Sequence, residues 1–189
     1  ECLEWVLHCD IKPENILLGE DFCPKVSDFG LAKLKTKEDR MSMSGIRGTR
    51  GYLAPEWVRG DRQITSKSDV YSFGMVLLEI VTGVRNFEQQ NSKMESDQWY
   101  LPMWAFDKVF KEMNVDEVLD PKIRQSHENR SHLDIVNRMV KTAMWCLQDR
   151  PDDRPSMGKV AKMLEGTVEI TEPKRPVIFY LETDEHTGT

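Results

Sequence analysis

The spacing of hydrophobic positions changes along this chain. From Val6 to Val26 short apolar runs alternate with turn residues such as Lys12-Pro13-Glu14 and Gly19-Glu20-Asp21, which predicts small strands joined by loops. Glycine and charged residues then dominate from Gly30 to Gly51, a composition typical of a long polar loop that carries function. We therefore expect strands and loops at the start of the chain.

Helical spacing governs the remainder. The run after Asp69, from Val70 to Val84, is apolar on more than one side, which predicts a helix buried at the centre of the fold. Pro151 and Pro155 bracket a tight loop, and Gly166 is suited to end the last helix. The apolar positions that predict the other helices are Leu101, Ala105, Val109 and Met113; Val136, Val140, Ala143 and Leu147; and Met157, Val160, Ala161 and Leu164.

Length and composition indicate one folded unit. A chain of 189 residues with 39% hydrophobic content can close one core and bury roughly 70% of its unfolded surface. The helical pattern ends near Gly166, and the remaining segment contains Pro173 and Pro176. We expect one domain over residues 1–166 and a flexible, loosely attached tail over residues 167–189.

Charge, cysteine content and the length of the apolar runs argue against a nucleic acid partner, against disulfides or a zinc site, and against a membrane-spanning segment. The net charge is −6 and no basic stripe is interleaved with aromatic residues, so we expect no nucleic acid partner. The four cysteines form no CxxC pair and the four histidines show no zinc spacing, so we expect reduced thiols. The most apolar segment is interrupted by polar residues and is too short to cross a bilayer.

Three short motifs occur in a fixed order. They are His8-Cys9-Asp10, with Asn15 five residues after the aspartate; Asp28-Phe29-Gly30; and Ala54-Pro55-Glu56. One such motif alone is a weak signal. Three in this order, separated by a loop of suitable length, make coincidence a poor explanation, and we interpret them as parts of one site.

The residue types in these motifs suit phosphoryl transfer. That reaction needs oxygen ligands for magnesium, a cation facing the phosphate oxygens, and a carboxylate that accepts the proton of the substrate hydroxyl. Asp10, Asn15 and Asp28 supply the oxygens, and Lys12 supplies the cation. The competing interpretation is that Asp10 and Asn15 stabilise a turn around Pro13 and that Asp28 is an exposed loop carboxylate.

The motif set resembles that of eukaryotic protein kinases, in which a catalytic loop, a DFG and an APE follow in this order. Over about residues 5 to 166 the chain is similar to plant receptor-like Ser/Thr kinases, particularly the S-domain (G-type lectin) type. The runs that carry this resemblance are HCDIKPENILL, FCPKVSDFGLAKL, GTRGYLAPEW, ITSKSDVYSFGMVLLEIVTG and DRPSMGKVAKMLEG. It implies a mainly α fold, the kinase C-terminal lobe: a helical bundle around a buried central helix, with short β-hairpins carrying the catalytic loop and the DFG.

The resemblance also implies a role for each motif residue. Asp10 would accept the proton of the substrate hydroxyl, and Lys12 would face the transferred phosphate. Asn15 and Asp28 would hold magnesium, so ATP and Mg²⁺ are the expected cofactors. Thr49 would hydrogen-bond the catalytic aspartate and lysine, and the presence of both Lys12 and Thr49 favours Ser/Thr over Tyr as substrate.

Three further residues have implied structural roles. Asp69 resembles the aspartate that holds the backbone of the catalytic loop from the start of the central helix, although an ordinary helix cap would look the same in sequence. Arg154 matches the arginine that pairs with the APE glutamate, here Glu56. We expect this pair to be buried, in which case removal of either partner destabilises the fold strongly.

The chain departs from the family pattern at Cys9, where many kinases carry arginine. A thiol cannot make the bidentate, charge-assisted contacts by which that arginine holds a phosphorylated loop. Loop phosphorylation should therefore act differently here. Candidate phosphorylation sites between the DFG and the APE are Thr36, Ser42, Ser44 and Thr49.

Two interpretations of the function stay open. The chain lacks the glycine-rich loop and the strand lysine of the kinase N-terminal lobe, so it is either the inactive, isolated catalytic lobe of a Ser/Thr kinase or a pseudokinase-like interaction module. A third, a metal-dependent phosphohydrolase using Asp10 and Asp28, leaves Asp69 and Arg154 unexplained.

The resemblance implies several partners and a location. The expected partners are protein substrates with Ser or Thr, the missing N-terminal lobe in the parent chain and, as a candidate, a co-receptor kinase. The implied location is the cytoplasmic side of the plasma membrane, with attachment through the parent protein alone.

Overall fold

The structure is a computed structural model, and it describes residues 4–36, 47–59, 63–85, 100–125 and 131–176. The strands are β1 (Glu4–Leu7), β2 (Ile16–Leu18), β3 (Pro24–Val26) and β4 (Lys33–Thr36). The helices are α1 (Pro55–Arg59), α2 (Lys67–Thr82), α3 (Leu101–Phe106), α4 (Pro121–Gln125), α5 (Ser131–Cys146) and α6 (Met157–Glu165). The fold is mainly helical, as predicted.

The strand pairing brings two loops together. β1 pairs antiparallel with β4, and β2 pairs antiparallel with β3, with Leu7 opposite Lys33 and Ile16 opposite Val26. One loop, residues 8–15, joins β1 to β2, and the other, residues 27–32, joins β3 to β4. Because both loops start and end on paired strands, they lie side by side. We call them the catalytic loop and the DFG loop.

β4 was not predicted, because its four residues fall inside the stretch expected to be a polar loop. Its sequence, KLKT, offers one apolar residue and no distinct alternation. Pairing with β1 supplies the backbone hydrogen bonds that make it a strand.

The buried central helix was predicted correctly. In α2, Met75 and Leu78 have no exposed surface, and they contribute to one large hydrophobic core. A Cβ atom at Gly74 would lie 2.7 Å from Cβ of Cys146 and 3.1 Å from the carbonyl of Ala143, so glycine is what allows α5 to approach α2 this closely. No helix among the described residues is long and apolar enough to span a membrane.

Two predicted apolar faces were wrong in detail. Met113 is 83% exposed, because the π-helix that continues α3 ends at Lys111 and Met113 lies beyond it. The spacing counted from Leu101 holds as far as the buried Val109, but it no longer applies at position 113, where the backbone is left-handed with φ of 55°. In α6 the predicted Met157 and Ala161 are exposed, whereas the buried positions are Val160 and Met163.

A buried ion pair joins α1 to the turn before α6. Both terminal nitrogens of Arg154 bond the Glu56 carboxylate at 2.7 Å, and neither side chain is more than 1% exposed. The guanidinium also donates to the carbonyls of Lys67, Gln148 and Asp149. Since the charges are paired and every guanidinium nitrogen has an acceptor, the cost of burying them is offset.

Residues 167–176 contact the helices. Nε1 of Trp145 donates to the Thr171 carbonyl at 2.9 Å, and Nε2 of Gln148 donates to the Lys174 carbonyl at 3.0 Å. Arg175 bonds both carboxylate oxygens of Asp107, at 2.8 and 2.6 Å. These contacts are more than a loosely attached tail would make; residues 177–189 lie outside the described residues, and the domain boundary at 166 stays a prediction.

We expect Arg154→Met to lower the free energy of unfolding by about 3–5 kcal/mol, because it leaves the Glu56 carboxylate buried and unpaired. The matched control is Arg59→Met, which removes an ion pair with Asp149 whose side chains are both 29% exposed. That control should cost at most about 1 kcal/mol. Urea denaturation measures the free energy of unfolding of both variants. Equal decreases would contradict the prediction that the buried pair contributes more to stability than the exposed pair.

The Arg175 contact predicts a pH dependence. Hydrogen bonds from Arg175 and, to a lesser extent, from Lys111 lower the pKa of Asp107 from 3.8 to about 2. Partial desolvation of the carboxylate acts in the opposite direction. A carboxyl whose pKa is lowered by folding contributes stability that is present above its unfolded value and lost as the pH falls through its folded value. Arg175→Ala should therefore lower the melting temperature slightly near neutral pH, and the difference from wild type should shrink as the pH falls from 3.8 towards about 2. Lys174→Ala is the control, and a difference independent of pH would contradict the assignment.

Candidate active site

Asp69 fastens the catalytic loop to the central helix. Its two carboxylate oxygens accept the backbone N–H groups of His8 at 2.7 Å and Cys9 at 2.9 Å. Ser66 occupies the N-cap position of α2, so Asp69 bonds another segment rather than capping its own helix. Burial raises the pKa of Asp69, although these amide hydrogen bonds act in the opposite direction.

Four of the predicted site residues meet at one carboxylate. Oδ1 of Asp10 accepts the Thr49 hydroxyl at 2.6 Å, while Oδ2 lies 3.1 Å from Nζ of Lys12 and 3.3 Å from Nδ2 of Asn15. Lys12 also donates to the Thr49 hydroxyl at 2.8 Å. Residues separated by up to 39 positions thus form one hydrogen-bonded group.

This group keeps Asp10 ionised. Partial burial alone would raise the pKa of the carboxyl, but hydrogen bonds from Thr49, Lys12 and Asn15 and the charge of Lys12 lower it below 3.8 on balance. A carboxylate has about four lone-pair positions. Thr49, Lys12 and Asn15 occupy three of them, which leaves one acceptor position for an incoming hydroxyl.

Asp28 directly follows a residue that is bonded to Asn15 of this group. The residue before it, Ser27, donates its N–H at 2.8 Å and its hydroxyl at 3.2 Å to the Asn15 carbonyl. Asp28 itself is exposed and adopts a left-handed conformation, with φ of 59°, in which Oδ1 accepts the Gly30 N–H at 3.2 Å. The DFG loop is therefore bound to the catalytic loop directly next to Asp28.

His8 connects the two loops, and the motif pattern assigned it no role. Its Nδ1 accepts the Asp10 N–H at 3.2 Å, and its Nε2 lies 2.9 Å from the Ser27 carbonyl. These partners require a neutral ring with its proton on Nε2. The ring also contacts Phe29 edge to face, with centroids 4.9 Å apart. In the sequence, the position of His8 directly before Cys9 in the motif was the feature that could have indicated this linking role.

Tyr52 and Glu79 form a second contact that sequence reasoning missed. The Tyr52 hydroxyl lies 2.9 and 3.0 Å from the two carboxylate oxygens of Glu79, which is buried in α2. Burial and this carboxylate raise the pKa of Tyr52 well above its ordinary value. Ser72 in α2 donates to the Tyr52 carbonyl at 2.8 Å. In the sequence, a glutamate inside an apolar helical run was the feature that could have indicated the contact between Tyr52 and Glu79.

Asn15 and Asp28 have the chemistry of a magnesium site. Nδ2 of Asn15 is taken by Asp10, so its Oδ1 is the atom that remains for a metal. No group of three or more His, Cys, Asp or Glu side chains among the described residues could hold a metal ion. One carboxylate and one amide nevertheless fit Mg²⁺, which commonly takes one or two protein ligands together with substrate phosphates and water.

The candidate phosphorylation sites differ in what the structure describes. Ser42, Ser44 and the Thr36 side chain lie outside the described residues, and they stay predictions. The Thr49 hydroxyl is described, and it bonds Asp10 and Lys12. A phosphate there would lie against the Asp10 carboxylate, so the geometry favours the hydrogen-bonding role of Thr49 over its modification.

Comparison with known proteins defines the class. Residues 3–164 match the protein kinase domain, and the chain therefore belongs to the protein kinase family. A G-type lectin S-receptor-like serine/threonine-protein kinase of Arabidopsis thaliana is 52% identical over 180 residues, which are 93% of this chain and 20% of that protein. The related kinase SD2-2 of the same plant is 46% identical over 183 residues, 94% of this chain and 22% of its own length. The chain thus spans about one fifth of the length of the curated relatives it matches.

We expect Thr49→Val to raise the pKa of Asp10 in the metal-free protein, because it removes the strongest of the hydrogen bonds that lower it. Carbon-13 NMR titration of labelled aspartate, with Asp10→Asn to assign the signal, measures this shift. Thr65→Val, a half-buried threonine outside the site, is the control. An Asp10 titration unchanged by Thr49→Val would contradict the assigned hydrogen bond.

Proposed function

We propose that this chain is the catalytic lobe of a serine/threonine protein kinase, which transfers the γ-phosphate of ATP to Ser or Thr hydroxyls of proteins. The observation that carries the proposal is the single carboxylate of Asp10 bonded at once by Lys12, Asn15 and Thr49. A loop that served only as a turn would not need to place the Lys12 cation, and the hydroxyl of the distant Thr49, around the carboxylate of Asp10. The family membership supports the same conclusion.

Each residue then has one task. Asp10 is ionised and has an acceptor position left, so it orients the substrate hydroxyl and accepts its proton. Lys12, held between Asp10 and Thr49, presents its charge to the transferred phosphoryl group. Asn15 and Asp28 would hold magnesium, which neutralises the charge of the ATP phosphates when bound.

The exposed apolar residues support a missing partner. Val6, Leu17, Leu18, Phe22, Val26 and Phe29 are 48–79% exposed and belong to the strands and turns at the start of the chain. Exposed apolar patches often mark interfaces with other proteins or domains. In our proposal the kinase N-terminal lobe of the parent protein covers these residues and completes the ATP site, so the isolated chain has little or no activity.

The relatives' names suggest the setting. Both are called receptor-like kinases. We place this lobe on the cytoplasmic side of the plasma membrane, attached through the parent protein, with protein substrates and a co-receptor kinase as partners. The alternative is a pseudokinase-like interaction module, and it differs in one respect: a native transcript without a glycine-rich loop and a lysine-bearing strand ahead of Glu1 would favour it.

The test is transfer of radiolabelled phosphate by the protein translated from the complete native transcript. We expect Asp10→Asn to lower transfer about 10²- to 10⁴-fold, the usual range for loss of a general base. Asp116→Asn, which changes an exposed carboxylate in the turn Val115–Val118, is the matched control and should leave transfer unchanged. Equal labelling by wild type and Asp10→Asn would refute the assigned role.

A further inference from the structure

Gly48 makes an unusually close approach to the catalytic loop. Its φ is +118°, a conformation that residues with a side chain rarely adopt. A Cβ atom built on Gly48 would lie 2.7 Å from the carbonyl oxygen of Cys9 and 2.8 Å from Cδ2 of Leu53. Both distances are well below ordinary van der Waals contact, so a larger residue would require one of the neighbours, or the segment containing Gly48, to move.

The two neighbours differ in how freely they can move. The Leu53 contact involves the far end of a side chain, which can rotate away. The Cys9 contact involves the backbone of a residue that is itself left-handed, with φ of 67°, and whose N–H is bonded to Asp69 at 2.9 Å. The preceding N–H, of His8, is held by the same carboxylate. Because Asp69 fixes this part of the loop, the segment at Gly48 would have to move instead.

Thr49 follows directly in the chain and would move with it. Its hydroxyl bonds Asp10 at 2.6 Å and Lys12 at 2.8 Å, and its carbonyl accepts the Tyr52 N–H at 3.1 Å. A displacement of several tenths of an ångström at Gly48 is comparable with the range over which a hydrogen bond is made or lost.

We propose that Gly48 is a positioning residue of the active site: its contact with the Cys9 carbonyl sets the distance at which Thr49 meets Asp10 and Lys12. The contact is made by backbone atoms, so it does not depend on the charge or size of the side chain at position 9. The catalytic consequence of this inference rests on the proposed function, whereas the geometric part does not.

The test compares Gly48→Ala with Gly158→Ala in the chain together with whatever sequence the native transcript encodes before it. Gly158 is the matched control, because nothing lies within 4 Å of a Cβ atom added there. The first readout is a crystal structure of each variant. We expect the bond between Oγ1 of Thr49 and Oδ1 of Asp10 to be lost in Gly48→Ala and kept in Gly158→Ala. A folded Gly48→Ala protein that keeps this bond would overturn the proposal.

The second readout is a double-mutant cycle on kcat. We expect Gly48→Ala to lower kcat about tenfold, the effect of losing one positioning hydrogen bond. It should have no further effect in a Thr49→Val background, because the bond it disturbs is already absent there. Equal effects of Gly48→Ala in both backgrounds would show a general structural role. Absence of transfer by the wild type would refute the proposed function, while the crystallographic comparison would still decide the geometric inference.

A second variant keeps the proposal testable if Gly48→Ala does not fold. Leu53→Ala removes the side-chain contact and leaves the contact with Cys9, so Gly48→Ala combined with Leu53→Ala should fold and still lose the bond between Thr49 and Asp10. If this double variant also fails to fold while Leu53→Ala and Gly158→Ala fold normally, Gly48 serves the fold as a whole, and the proposal is wrong.

Discussion

Asp69 holds two successive amides of the catalytic loop at 2.7 and 2.9 Å, and the geometry of the site depends on this interaction. The helix that carries Asp69 is buried along most of its length, so the surrounding core holds it in place. A non-glycine residue in a left-handed conformation, as at Cys9, costs roughly 1–3 kcal/mol. The hydrogen bonds to Asp69 offset that cost, so the loop takes its position from the helix.

The segment that begins at Gly48 is held at three successive places, twice by a hydrogen bond from a hydroxyl to a carboxylate and once by a buried ion pair. Thr49 is hydrogen-bonded to the catalytic loop, Tyr52 to a carboxylate buried in α2, and Glu56 to an arginine ahead of the last helix. Each contact pairs a polar group that would be costly to bury alone. Together they join the candidate active site to the helical core.

Much of this could be predicted from the sequence. The buried helix after Asp69 follows from its apolar pattern, and the candidate site residues follow from motifs whose order resembles that of a known family. The misses have physical causes. Met113 was assigned to the core because a regular helical period cannot anticipate that the helix ends at Lys111, and β4 was missed because its strand character comes from pairing with β1. His8 had no assigned role because its function lies in linking two loops.

The sequence by itself determined the chemical groups of this protein: a carboxylate, a cation and an amide close together in one loop, and an acid in another. It determined them because residue types and short spacings are local properties. The family resemblance implied that Thr49 meets Asp10 and that Arg154 meets Glu56, but only the tertiary structure decided the distances and the burial of these contacts, which join residues 39 and 98 positions apart. Such contacts depend on how helices pack and strands pair, and no local pattern in the chain specifies those distances.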